Sequence, residues 1–177
     1  MRHSYCGYLG VICVYTGAGK GKTSACLGQV LRALGHGKRV AFAQFIKRDG
    51  CAGEQALLHT LLGANFRADG LGFVKNCPDK ALHCEAAKAL LGWSKTILPS
   101  VWLLILDEVL YALHYELVTQ EALSEVLACA QSAGTHLVLS GRHAPPWLIE
   151  ASDLVTTLQP TKHPHSSGQK ALLGLDY

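Results

Sequence analysis

Residues 16 to 23 read Thr-Gly-Ala-Gly-Lys-Gly-Lys-Thr, a glycine-rich stretch set between an apolar run and a helical pattern. A phosphate chain needs many donors at close range, and backbone N–H groups supply them where no side chain blocks approach. Gly17, Gly19 and Gly21 meet that need, with the backbone of Ala18 and Lys20 between them. The helix that follows aims its N-terminal dipole at the same place, Lys22 adds a point charge, and the Thr23 hydroxyl can ligate magnesium, with Ser24 beside it. The strict pattern asks for glycine at position 16, where this chain has Thr16. The strand before and the amphipathic helix after are nevertheless the context that a nucleotide cradle requires.

Apolar runs at 11–15, 39–46, 101–106, 135–140 and 153–158 lack polar alternation, which predicts strands covered on both faces. The apolar stretch from Tyr8 to Tyr15 is read as the first strand; it is too short for a signal-peptide core and runs straight into the glycines. Leu27, Val30, Leu31 and Leu34 follow helical spacing, with Gly35 and Gly37 as a stop. Helices are expected over 54–63, over 80–98, over 119–133 with Thr119 as cap, and briefly from Pro145 and Pro146. The alternation predicts an α/β fold, a three-layer P-loop domain with a mainly parallel sheet, formed by the whole chain of 177 residues. Two stretches break it, 64–79 and the tail from Pro160, and loops of that length are often lids or binding loops.

The composition narrows the partners. A net charge of +3 with scattered basic residues does not suggest nucleic acid, and no run of 18 uncharged apolar residues occurs, so no membrane span is expected. Seven cysteines without a CxxC pair read as reduced thiols of a cytoplasmic protein. Neither Cys77, His83 and Cys84 nor His163 and His165 has a zinc-site spacing.

A second motif is LLILDE, 103 to 108, an apolar strand ending in Asp107 and Glu108. With the glycine loop, those carboxylates point to a magnesium ion held directly or through water. Arg142 follows the 135–140 strand where strand ends gather around a ligand, so a phosphate contact and a surface position are both open; Arg32, further along the first helix, is more ambiguous.

Together the motifs resemble the P-loop cob(I)alamin, or corrinoid, adenosyltransferases of the cobalamin-biosynthesis type, over nearly the whole chain. The resemblance is carried by TGAGKGKT at 16–23, LRALGHGKRV at 31–40, QFIK at 44–47 with Gly53 and Glu54, LILDE at 104–108, SGR at 140–142 with APP at 144–146, and KH at 162–163 before the closing GLDY. It implies transfer of the 5'-deoxyadenosyl group of ATP to Co(I) of a corrinoid with release of triphosphate. It also implies a RecA-like sheet, a homodimer, and an electron-donating flavoprotein reductase as partner. ATP would lie on residues 17 to 24, with Lys22 and Arg142 stabilising the leaving group and Arg32 a further contact. Mg2+ (or Mn2+) would sit near Thr23, Asp107 and Glu108. Co(I) is itself a strong nucleophile, so no activated side chain is required.

In that family a lid with the pattern Gly-Phe-Thr-Trp-Glu excludes the corrinoid's lower axial ligand. Here it reads Gly70-Leu71-Gly72-Phe73-Val74, so Leu71 and Phe73 stand for the aromatic pair and the acidic residue is gone. Ala18 replaces the asparagine of the family's loop, and the chain leaves little room for the N-terminal helical extension of longer members. The loop and carboxylates would serve a P-loop ATPase or small-molecule kinase equally well, and a corrinoid- and ATP-binding protein without turnover is the non-enzymatic alternative.

Overall fold

The computed structural model describes residues 10–74, 79–163, 168 and 170–175. The outer part of the expected first strand, Cys77, and His165 lie outside them. Six strands form one sheet in the order β3-β2-β4-β5-β1-β6, with every neighbouring pair parallel. The strands are β1 (Ile12–Thr16), β2 (Val40–Gln44), β3 (Phe66–Arg67), β4 (Leu103–Asp107), β5 (His136–Ser140) and β6 (Leu154–Thr157). The helices are α1 (Lys22–Gly35), α2 (Gly53–Leu62), α3 (Lys80–Ile97), α4 (Val109–His114), α5 (Gln120–Ala133) and α6 (Pro146–Glu150).

Alternating residues of each central strand serve two cores, which is why the strands read as continuous apolar runs. Leu104 and Leu106 of β4, with Val14, Ala43 and Leu139, pack under α3, α4 and α5. Leu103 and Ile105, with Phe42 and Val138, face Cys26, Val30 and Ala33 of α1 and Leu58 of α2. The result is the expected three layers. Thr119 accepts a hydrogen bond from the Ala122 amide, 3.2 Å, and so caps α5 as its sequence predicts.

Three local expectations are corrected. Leu31 does not join the buried face of α1; it is 59% exposed, and Cys26, Val30 and Ala33 form that face because small residues let the helix lie close to the sheet. The stretch 64–79 is not wholly loop, since Phe66 and Arg67 pair with Phe42 and Ala43 as an edge strand. Directly after LILDE the chain forms α4, a six-residue helix outside the predicted set.

Parallel alignment brings Thr16, Gln44, Asp107 and Ser140, the last residues of four strands, to one edge of the sheet. Ligands of open α/β sheets bind outside that edge.

Candidate functional site

The glycine loop crosses that edge between β1 and α1. Gly17 and Gly21 have φ of 106° and 109°, a region that side-chain-bearing residues rarely adopt. A second constraint comes from the segment leaving β6: a Cβ on Gly17 would lie 2.3 Å from the Leu158 carbonyl oxygen, and one on Gly19 2.8 Å from it. The Gly19 amide donates to that oxygen at 2.8 Å, and the Leu158 amide donates to the Thr16 carbonyl, also 2.8 Å. The glycines therefore serve two approaches, one toward the cavity and one toward β6.

Lys22 is buried, and its ammonium donates to the carbonyls of Gly17 (2.9 Å) and Gly19 (2.7 Å). Burial pulls its pKa below the ordinary lysine value, opposed by the charges of Glu108 and Asp107 and reinforced by Arg142. An incoming phosphate would replace those two carbonyls as acceptor and gain a stronger, charge-assisted bond.

Beneath the loop, Asp107 is fully buried. Its carboxylate accepts from Ser140 Oγ at 2.6 Å, from Thr23 Oγ1 at 3.1 Å to each oxygen, and from Gln44 Nε2 at 3.2 Å. The Gln44 amide nitrogen also donates to Glu54 Oε1, 3.0 Å, and its oxygen accepts from Gln55 Nε2, 2.8 Å. Lys47 donates to Glu54 at 2.6 Å, which together with Gln44 holds the Glu54 carboxyl below its usual pKa against the opposing effect of burial. A buried polar network of this kind fixes its members' orientation because each would be costly to leave unpaired.

Glu108, by contrast, faces the cavity, at φ 61°. Its amide donates to Ser140 Oγ, 3.0 Å. Burial raises its pKa above the ordinary carboxyl value, and the neighbouring Asp107 charge adds to the rise.

A cavity of about 1010 Å³ opens over this arrangement. Its lining includes residues 19 to 24, Lys47 and Glu54. Phe73, Tyr111 and Tyr115 line the same cavity. Phe73 meets Tyr111 edge-on, centroids 5.9 Å apart, and Tyr111 stacks on Tyr115 at 4.4 Å. His143 lines the cavity and stacks on His114 at 4.3 Å. Gly174 and Leu175, from the C-terminal segment, also line it.

Of the residues singled out from sequence, Gly19, Lys20, Gly21, Lys22, Thr23, Ser24, Phe73, Glu108 and Arg142 line this one cavity. Gly17 and Ala18 belong to the same loop without lining it. Asp107 lies behind Thr23 and not at the cavity surface. Leu71 is held by a bond from Arg48 Nε to its carbonyl, 2.9 Å, and does not line the cavity. Arg32 is exposed in the last turn of α1, the end remote from the loop, and is not among the lining residues. Tyr111, Tyr115, Ser140 and Gln44 carry the geometry without having been singled out. Ser140 and Gln44 fall inside the SGR and QFIK motifs, and a polar residue ending an apolar strand is the signal that marks them.

Among the described residues no group of three or more His, Cys, Asp or Glu could hold a metal ion, and no helix is long and apolar enough to cross a membrane. The available donors near Thr23 are oxygens, the set that suits magnesium, which takes one or two carboxylates together with substrate phosphates.

Residues 9–177 match the family model of the ATP:corrinoid adenosyltransferases BtuR/CobO/CobP. The chain is 34% identical over 172 residues to the corrinoid adenosyltransferase CobA of Salmonella typhimurium, covering 95% of this chain and 86% of that protein. It is 37% identical to the corrinoid adenosyltransferase of Pseudomonas aeruginosa, covering 95% and 84%. The Escherichia coli corrinoid adenosyltransferase is 34% identical, with 95% and 86% covered. Among solved structures, AMPPCP-bound DnaA from Aquifex aeolicus aligns with 86% of this chain and 41% of its own, at 15% identity and a TM-score of 0.45. A likeness of that size says nothing about activity.

Proposed function

We infer the working of the cavity from one premise: this chain belongs to the ATP:corrinoid adenosyltransferase family. It is an ATP-dependent transferase that places an adenosyl group on a corrinoid. The observation that carries the finer reading is that one cavity is lined both by the glycine loop and by the aromatic residues Phe73, Tyr111 and Tyr115. ATP lies with its triphosphate on residues 17 to 24, and the corrin ring lies against Phe73, Tyr111 and Tyr115.

The chain's own part is positioning and charge. The attacking cobalt needs no activated side chain, so the protein must align the ribose 5' carbon with it and stabilise the departing triphosphate. Lys22, exchanging its two loop carbonyls for phosphate oxygens, does so from a buried position where each charge counts for more than in water. Arg142, which lines the same cavity, adds a second positive charge. Magnesium would be held by Thr23 Oγ1 and Glu108, with Asp107 orienting the Thr23 hydroxyl from behind. When bound, it neutralises phosphate charge. Aromatic surface beside the ring would disfavour a polar lower ligand there, and Tyr111 offers such surface where the lid has Leu71.

The electron that brings cobalt to Co(I) is assigned to a flavoprotein reductase, a homodimer is the expected assembly, and the cytoplasm the expected compartment. These three rest on the family's chemistry and on the thiol-rich sequence.

Product analysis tests the reading. With ATP, magnesium and a corrinoid kept as Co(I), a light-sensitive Co–C bond and inorganic triphosphate are expected. ADP and orthophosphate would instead place the bond cleavage between phosphates and reassign the site to a kinase or ATPase.

A further inference from the structure

After β6 the chain stays with the loop it has just passed. Leu158 backs Gly17 and Gly19, His163 lines the cavity, and the turn at 172–175, closed by a bond from the Leu175 amide to the Leu172 carbonyl (3.2 Å), returns to its edge. There the Lys20 ammonium donates to the Leu175 carbonyl at 2.6 Å, across 155 residues of sequence. Lys20 sits between two glycines of the cradle, where a phosphate contact is the obvious assignment, yet its ammonium points to the tail.

We propose that the C-terminal turn is a strap across the nucleotide cavity, latched to the phosphate loop by Lys20, so that Lys20 retains ATP by positioning the tail. The proposal rests on the reading of the cavity as an ATP site. Leu172, Leu173 and Leu175 are 57%, 81% and 66% exposed, so apolar burial contributes little to holding the turn down. A bond from an exposed ammonium to a neutral carbonyl breaks and reforms easily, which suits a strap that must open for substrate entry and triphosphate exit. Lys22, the buried neighbour two residues on, is bonded to the loop itself and has a separate task.

Two substitutions reach the strap from opposite ends. Lys20→Met removes the latch. Gly174→Val reshapes the turn, because φ at 174 is 77° and strains a β-branched residue, while an added Cβ meets nothing within 4 Å. Binding of a non-hydrolysable ATP analogue with magnesium is measured by calorimetry for both variants, their combination and Lys20→Arg. Each single variant is expected to bind about tenfold more weakly, and the pair no more weakly than the worse single, since both disturb the same association of loop and turn. Lys20→Arg, which keeps a donor, is expected to restore most of the loss. The analogue is also expected to slow carboxypeptidase trimming of the wild-type tail but not of Lys20→Met. Losses that multiply to about a hundredfold would make Lys20 a direct phosphate contact and overturn the proposal. So would wild-type affinity in Gly174→Val, or a tail whose trimming ignores nucleotide. Failure of the wild-type protein itself to bind the analogue would refute the ATP site, a result distinct from any of these.

Discussion

Two adjacent charges in the cavity respond differently to their surroundings, and each sets an experiment. Lys22 is stabilised by two carbonyls that a phosphate can replace, so Lys22→Ala should weaken ATP binding and lower transfer together. Loss of one preorganised charge costs about a hundredfold in rate, which titration and initial-rate measurements would show side by side. Glu108 is held above the ordinary carboxyl value of 4.5 by burial and by Asp107. Between that value and the raised one the folded protein binds more protons than the unfolded chain, so stability falls as pH rises through the window. At neutral pH the charged Glu108 is therefore a net cost to the metal-free fold. Glu108→Gln should raise the melting temperature of the metal-free protein at pH 7 while weakening magnesium-dependent ATP binding about tenfold or more. Lys22 and Thr23 are legible in sequence because spacing from the glycines dictates their roles. Ser140 and Gln44 are marked in sequence only as polar ends of apolar strands, and their shared partner is hidden because Asp107 is 33 and 63 residues away.

Among elements, the glycine loop is constrained by the segment leaving β6 as well as by the phosphate proposed to lie on it. Gly17→Ala would place a methyl group 2.3 Å from the Leu158 oxygen at a φ of 106°. Backbone strain of this kind costs about 1–3 kcal/mol, and urea melts should register it even without nucleotide. A loop whose glycines served phosphate alone would lose binding without losing stability. The strand and helix pattern could be read from the sequence wherever periodicity extended over a turn or more, as in α1, α3 and α5. It could not for β3, which has two residues, or for α4, which starts from Glu108 at a positive φ and runs six residues. Leu31 misled because spacing gives a helix face without saying whether the sheet is wide enough to cover all of it. The aromatic wall was hidden for the same reason: Tyr111 and Tyr115 lie on the unpredicted α4 and on the residue that ends it.

For the whole molecule, continuous apolar strands and intervening helices made the three-layer parallel sheet readable, but the order of the strands came only with the structure. That order joins distant parts at the edge opposite the cavity too. His136 Nδ1 accepts from the Val11 amide, 3.0 Å, and Trp102 packs edge-on against its ring, centroids 4.3 Å apart. Burial, with Lys38 nearby, lowers its pKa below the ordinary 6.5. The folded state then binds fewer protons than the unfolded one between the lowered value and 6.5, so this contribution is complete above 6.5 and is lost as pH falls through the window. Urea denaturation at pH 7.5 and 5.5 should show a shallower loss in His136→Gln, which keeps an acceptor and does not titrate.

The place of β1, between β5 and the edge strand β6, has a consequence for the order of events during synthesis. The Ile12 amide donates to a carboxylate 141 residues later, and the loop leans on a carbonyl later still. A growing chain thus releases the glycine loop well before the segment that backs it. Until β6 emerges, the glycines have no scaffold on one side and ATP has no formed seat to hold. Such long-range closure is slow, and a chain cut short before β6 is expected to hold no nucleotide.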